Sequence, residues 1–236
     1  MKDFADKMAV VTGGGTGMGR ELVCQLIQAG AHVAMCDVSE VNMAETQKLA
    51  NVQGDQRLTS HICDVSSQAQ LDNFRVEVLA QHDVAHINLL FNNAGIGSGV
   101  SFVDGDRDEW ERTFNIYWYG VYYNARAFMP YLVAADKAHM VNTSSVKGFT
   151  EALVTDLRIN APHVKVSVVM LGHIGTSIIA SNSGKISGHA DPIDMSGEEI
   201  EQIRKRVEKL MEIDLSATTN DQIWEVMKAQ SEPYLD

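Results

Sequence analysis

The sequence predicts an α/β fold built on a doubly wound parallel sheet, and three observations carry that expectation. Short β-rich apolar runs alternate with longer stretches of helical spacing, the alternation repeats six times between Met8 and Met170, and a glycine-rich turn joins the first run directly to the first helical stretch. A chain of 236 residues is long enough to bury one large core. One domain is therefore expected.

Strands are expected at 8–12, 32–37, 57–63, 87–91, 139–142 and 165–170. The first helix, 17–29, carries Leu22, Leu26 and Ile27 at helical spacing, and a second is expected over 40–50. A third, 68–81, places Leu71, Phe74, Val78 and Leu79 on one face. A fourth is expected over 110–133, broken near Gly120 or Pro130. Beyond Met170 the strand pattern stops in a stretch rich in Ser, Gly, Asp and Pro. Ser196 with Glu199 and Thr219 with Gln222 then have the spacing of capping boxes. Ile200, Ile203, Val207 and Leu210 follow on one face, so a helical tail is expected over the last part of 180–236.

Charge narrows the partners. Lys plus Arg number 19 against 31 Asp plus Glu, a net charge of −12 that repels phosphate backbones and anionic lipid alike. No nucleic acid and no membrane partner is expected. The N-terminal apolar run is short and ends in glycines, unlike a secretory leader or a membrane span, and a cytoplasmic protein is expected. Cys24, Cys36 and Cys63 are odd in number, lack C-x-x-C spacing and lie in apolar stretches, as buried free thiols do. No grouping of His, Cys or carboxylates has metal-ligand spacing, so no metal is expected.

The first strand ends in Thr12-Gly13-Gly14-Gly15-Thr16-Gly17-Met18-Gly19. Residues without a Cβ let a backbone approach a pyrophosphate closely, and the N–H groups of the turn and of the following helix can then bind it. Gly13, Thr16, Gly17, Met18 and Gly19 are the candidates. Asp37 closes the second strand eighteen residues after Gly19, where a carboxylate accepts hydrogen bonds from the adenosine ribose and repels the extra phosphate of NADP. NAD is the expected cofactor. The plainer role for Asp37 is to cap the next helix.

These residues, with Asn92-Asn93-Ala94-Gly95 after the fourth strand, resemble the short-chain dehydrogenase/reductase family of Rossmann-type oxidoreductases. The resemblance covers roughly 8–179, which makes that stretch the dinucleotide-binding part of the domain. It implies that Asp64 and Val65 hold the adenine, that Asn92, Ala94 and Gly95 line the cofactor groove, and that Thr176 meets the nicotinamide amide. In the segment Asn142-Thr143-Ser144-Ser145 it assigns Ser145 to orient the substrate oxygen, with Ser144 as the near alternative. Hydride transfer between NAD and a secondary alcohol or ketone is the activity implied.

The catalytic pattern departs from that family. Its proton donor is the Tyr of a Y-x-x-x-K motif on the helix after the fifth strand, where one helical turn brings a Lys beside the phenol. No Tyr follows Ser145 until Tyr234, no Y-x-x-x-K occurs anywhere, and Lys147 stands two residues past Ser145. The segment at Val146-Lys147 is therefore shortened. Tyr117 occupies the place of a relay Asn, Leu171 replaces the usual Pro before Gly172, and no pattern for the family's last strand follows Met170. Tyr117, Tyr119, Tyr122 and Tyr123 read as core or subunit interface, and His173 as a bystander. The expectation is an impaired oxidoreductase, the alternative a non-catalytic NAD-binding module that works by association, and family habit implies a homo-oligomer.

Overall fold

The structure, a computed structural model, describes residues 3–97, 106–143 and 147–169, without the side chains of 147, 148 and 151. In chain order they form β1 (Met8–Thr12), α1 (Gly17–Gln28), β2 (His32–Asp37), α2 (Glu40–Ala50), β3 (Leu58–Ile62) and α3 (Gln68–His82). There follow β4 (Leu89–Asn92), α4 (Arg107–Phe114), a π-helical turn (Asn115–Tyr119), α5 (Gly120–Val133), β5 (Ala138–Thr143), α6 (Lys147–Asn160) and β6 (Val164–Val169). All strand pairs are parallel, in the order β3-β2-β1-β4-β5-β6. The winding reverses between β1 and β4, and in such sheets the crevice at that reversal is where ligands bind.

Helices cover both faces, which is why the central strands read as unbroken apolar runs. β1 is buried at every position, with Val10 facing one core and Ala9 and Val11 the other. On the second face α1 and α2 pack through Leu22, Leu26, Ile27 and Met43. Leu71 and Phe74 of α3, Phe128 and Leu132 of α5 and Leu157 of α6 fill the first. Phe74 meets Phe128 edge to face at 5.7 Å, and full burial of each such side chain contributes about 2 to 3 kcal/mol. Cys24, Cys36 and Cys63 are buried free thiols, as their apolar settings predict.

Caps set the helix limits. Ser39 accepts a hydrogen bond from the Asn42 N–H at 3.3 Å, and α2 ends where Asn51 turns left-handed at φ 47°. Ser67 and Asp83 bracket α3 in the same way, Asp83 at φ 52°. β4 starts later than the expected 87, because the Ile87 N–H is drawn to the Tyr131 carbonyl of α5 at 3.1 Å. β5 and β6 each begin one residue earlier than expected, and the expected strand end at Met170 lies outside the described residues.

The helix expected over 110–133 needs correction. It starts at Arg107, because Asp106 caps it by accepting the Asp108 N–H at 3.0 Å. Its interruption falls beside Gly120, one of the two expected places, and not at Pro130. Proline's fixed φ suits a helix, and Pro130 stands near the end of α5 between the buried Phe128 and Leu132. The irregularity is instead the π turn just before Gly120. The expected helical tail lies outside the described residues.

Candidate functional site

The residues singled out by the glycine-rich turn gather at the carboxyl edge of β1 and β4. Thr12 ends β1 and ties the two strands together. Its hydroxyl donates to the Phe91 carbonyl at 3.3 Å and accepts the N–H groups of Asn93 at 3.0 Å and Ala94 at 3.1 Å. Asn93 returns the contact, its side-chain amide donating to the carbonyls of Thr12 at 3.2 Å and Gly13 at 3.4 Å. Two backbones are thus held nearly in contact. Gly13, at φ +69°, has no room for a side chain, since a Cβ there would lie 2.8 Å from Ala94 Cα. A Cβ on Gly19 would lie 1.9 Å from the Gly13 carbonyl oxygen.

Such a cradle suits a polyanion. Helix α1 opens at Gly17, Thr16 lends no side-chain cap, and its first turn holds no acidic side chain, so the first-turn N–H groups keep their positive end. Gly13 and Thr16 lie in the loop between β1 and α1, and Gly17, Met18 and Gly19 open α1.

Asp37 lies at the end of β2, beside the turn. One carboxylate oxygen accepts the Gly15 N–H at 3.0 Å and the other the Ser39 N–H at 3.0 Å. It therefore braces the start of α2 through Ser39, the plainer of the two roles weighed for it, and stands beside the glycine turn through Gly15. Burial pushes its carboxyl above the ordinary range, opposed by the N–H groups of Ser39, Gly15 and Val38 and by the Arg20 charge.

Asp64 and Val65 follow β3. The Asp64 carboxylate accepts both the N–H and the hydroxyl of Ser66, at 2.9 and 2.7 Å, which shapes the turn into α3. Val65 is buried against Gly120. Asn92, at the end of β4, belongs to a chain of amides that runs across the sheet: Asn124 of α5 donates to Asn92 at 2.6 Å, Asn92 to Asn142 at 2.7 Å, and Asn142 to the Thr150 hydroxyl at 2.9 Å. Asn92, Asn124, Asn142 and Thr150 are buried. This chain was not foreseen. Asn124 has no motif around it, and its role shows once α5, β4 and β5 are neighbours.

Tyr117 is also a finding. The π turn aims its hydroxyl at the Ile96 carbonyl, to which it donates, and its ring lies over Gly95. Burial raises its pKa, against the Ile96 hydrogen bond, so the phenol stays protonated at neutral pH. The other tyrosines form a partly exposed aromatic face: Tyr119 stacks on Tyr123 at 5.5 Å, Phe114 on Trp118 at 6.0 Å, and Tyr122 meets Phe149 edge-on at 6.0 Å. Ser144, Ser145, His173 and Thr176 lie outside the described residues, so the catalytic and nicotinamide-amide assignments have no geometry here. Among the described residues no group of three His, Cys, Asp or Glu could hold a metal ion, and no helix is long and apolar enough to cross a membrane.

Comparison with known proteins agrees with this geometry. Residues 7–157 match the family model described as short chain dehydrogenase. SadH of Mycobacterium tuberculosis, a putative oxidoreductase by name, is 33% identical over 202 residues, covering 75% of this chain and 70% of its own length. A short-chain dehydrogenase/reductase from Burkholderia phymatum, solved in complex with NAD, superposes with a TM-score of 0.73 over 98% of this chain and 88% of its own, at 23% identity. A metagenomic short-chain oxidoreductase solved with NADP superposes at 0.65 with 26% identity, over 73% and 85% of the two chains. The fold is shared by a holder of NAD and a holder of NADP.

Proposed function

The chain belongs to the short-chain dehydrogenase family, and from that premise we propose that it binds NAD in preference to NADP and descends from enzymes that pass a hydride between that cofactor and a secondary alcohol or ketone. The observation that carries the preference is Asp37, whose carboxylate is held 3.0 Å from the Gly15 N–H. A 2′-phosphate at that edge would meet a fixed negative charge, while ribose hydroxyls would find an acceptor. NAD, when bound, supplies the hydride acceptor in its nicotinamide ring. The chain's own part is to hold it: the first-turn N–H groups of α1 bind the pyrophosphate, Asp37 the ribose, Asp64 and Val65 the adenine, and Asn92, Ala94 and Gly95 flank the groove. Thr176 would meet the nicotinamide amide, and Ser145 the substrate oxygen.

The proton step is where the chain falls short. It contains no Y-x-x-x-K, and Tyr117, whose ring lies against Gly95, is already committed to the Ile96 carbonyl. We therefore expect turnover on simple secondary alcohols to be lower by about 10²- to 10⁴-fold, the span general acid–base catalysis supplies. A thermal-unfolding titration tests the binding half. NADH at a hundredfold excess over Kd should raise stability by about 2.7 kcal/mol, and NADPH far less. Equal shifts with both would overturn the role of Asp37, and brisk oxidation of a secondary alcohol with NAD would overturn the impairment.

A second reading has its own support. Phe114, Trp118 and Tyr119 are large apolar side chains left exposed on one helical face, and such a patch favours self-association. A non-catalytic NAD-binding module that pairs through this face would bind NADH, show no turnover and sediment as an oligomer. Cytoplasmic residence, with small molecules as its other partners, accords with the net charge of −12.

A further inference from the structure

Helix α2 grips the glycine turn from outside. Thr46, fully buried, places its hydroxyl 3.0 Å from the Gly14 carbonyl oxygen, 3.1 Å from that of Gly15 and 3.1 Å from that of Asn42. Arg20, from α1, donates from Nη2 to the Gly15 carbonyl at 2.7 Å and from Nε at 3.0 Å. Its Nε also donates to Thr46 Oγ1 at 3.1 Å. That bond leaves the single hydroxyl proton of Thr46 free to point at the turn. Glu45 holds the guanidinium from the other side at 2.9 Å, and the Asn42 carbonyl lies within 3.4 Å of it.

A trans peptide directs its N–H opposite to its C=O. Where the Gly14 carbonyl points at Thr46, the Gly15 N–H points away, and it meets Asp37. Where the Gly15 carbonyl points at Arg20, the Thr16 N–H is turned away from α2 in the same manner. The aim of these N–H groups is therefore set by side chains that need never touch a ligand. We propose that Thr46 and Arg20 are positioning residues for the dinucleotide: by holding the carbonyls of Gly14 and Gly15 they fix the N–H groups and the Asp37 carboxylate in the arrangement that accepts its ribose and pyrophosphate. This rests on the NAD-binding reading above.

The test is a fluorescence titration of NADH into the full chain and into its Thr46→Ser, Thr46→Val and Arg20→Met variants, each held below its own unfolding midpoint as measured without ligand. Thr46→Val should raise the Kd about tenfold, the size of a lost hydrogen bond. Thr46→Ser, which keeps the hydroxyl, should restore it to within about twofold. Arg20→Met, at a site that reaches the surface, should weaken binding several-fold and carries the test should Thr46→Val not fold. A merely structural role would lower the unfolding midpoints and leave the NADH constants unchanged in the folded variants, and that result overturns the proposal. Failure of the unmodified chain to take up NADH overturns the NAD-binding reading itself; uptake by the unmodified chain with equal constants in every variant overturns the clamp alone.

Discussion

The turn after β1 and the ends of β4 and β5 lie at the same edge of one sheet, yet they are built from different materials. The turn works with backbone: carbonyls held by Thr46 and Arg20, N–H groups of Gly14 and Gly15 held by Cys36 and Asp37, and no Cβ where Gly13 and Gly19 meet their neighbours. The ends of β4 and β5 work with side chains, a relay of amides from Asn124 through Asn92 and Asn142 to Thr150. A backbone device depends on space and is lost when space is filled. A side-chain device depends on each partner and is lost when one is removed. On the function proposed above, the turn would grip the cofactor through its backbone, while the relay would hold in place the strand ends that flank it.

The sharpest way to break this contrast is to fill the turn. Gly19→Val would drive a Cβ into the Gly13 carbonyl, and we expect it to cost about 3 kcal/mol or more and to abolish the NADH-dependent shift in unfolding temperature. An unaltered shift would mean that the turn does not depend on space. Next comes the relay. Asn142→Leu should destabilise the fold by about 2 kcal/mol in urea titrations, because it strands the Asn92 amide in a buried site. A neutral result would remove the relay from the account of the second region.

Acid probes the packing of α3 on β3. His82, whose ring bonds Thr59 at 2.8 Å, is lowered from 6.5 to about 4, first by burial and then by the charge of Arg57. The unfolded chain takes up this proton from about pH 6.5 downward while the folded one resists until about 4, so the stability owed to the neutral ring is whole above 6.5 and lost across that window. Unfolding midpoints should fall between those values, and His82→Gln should flatten the slope there. The smallest effect is expected at Ser39→Ala, about 1 kcal/mol from the lost cap of α2, read by thermal unfolding.

Much of this could be read in the sequence wherever the signal is local. α2 is bounded by a serine before it and an asparagine after it, and its predicted and observed limits coincide because both caps lie within the helix's own neighbourhood. The same holds for β1 and β2, whose burial on both faces forces apolar runs. The glycine turn is legible because the close backbone approaches at Gly13 and Gly19 leave room for no other residue. What escaped the sequence depends on distant partners: Thr12 reaches a loop some eighty residues away, and Asn124 is one amide in a helix until β4 is placed beneath it. Thr46 is likewise a lone threonine in mid-helix until its hydroxyl is seen against the turn. The start of α4 was misplaced by a cap at Asp106, and the π turn escaped because Asn-Ile-Tyr-Trp-Tyr has no spacing that distinguishes a wide turn from an ordinary one.

That turn has a consequence in phase. Each residue of an α-helix advances the side-chain direction by about 100°, and a π turn absorbs one additional residue while leaving the helix on either side in step. Thr113 before it and Val121, Ala125, Phe128 and Leu132 after it all remain turned to the interior. Within the turn, Tyr117 is the residue whose hydroxyl reaches the Ile96 carbonyl. Trimming Tyr117 would restore an ordinary helical count, keep both flanking faces inward, and withdraw the hydroxyl that holds the loop after β4. Length is thus coupled to the loop after β4 through Tyr117, while Ile116 in the same turn keeps the segment anchored in the core.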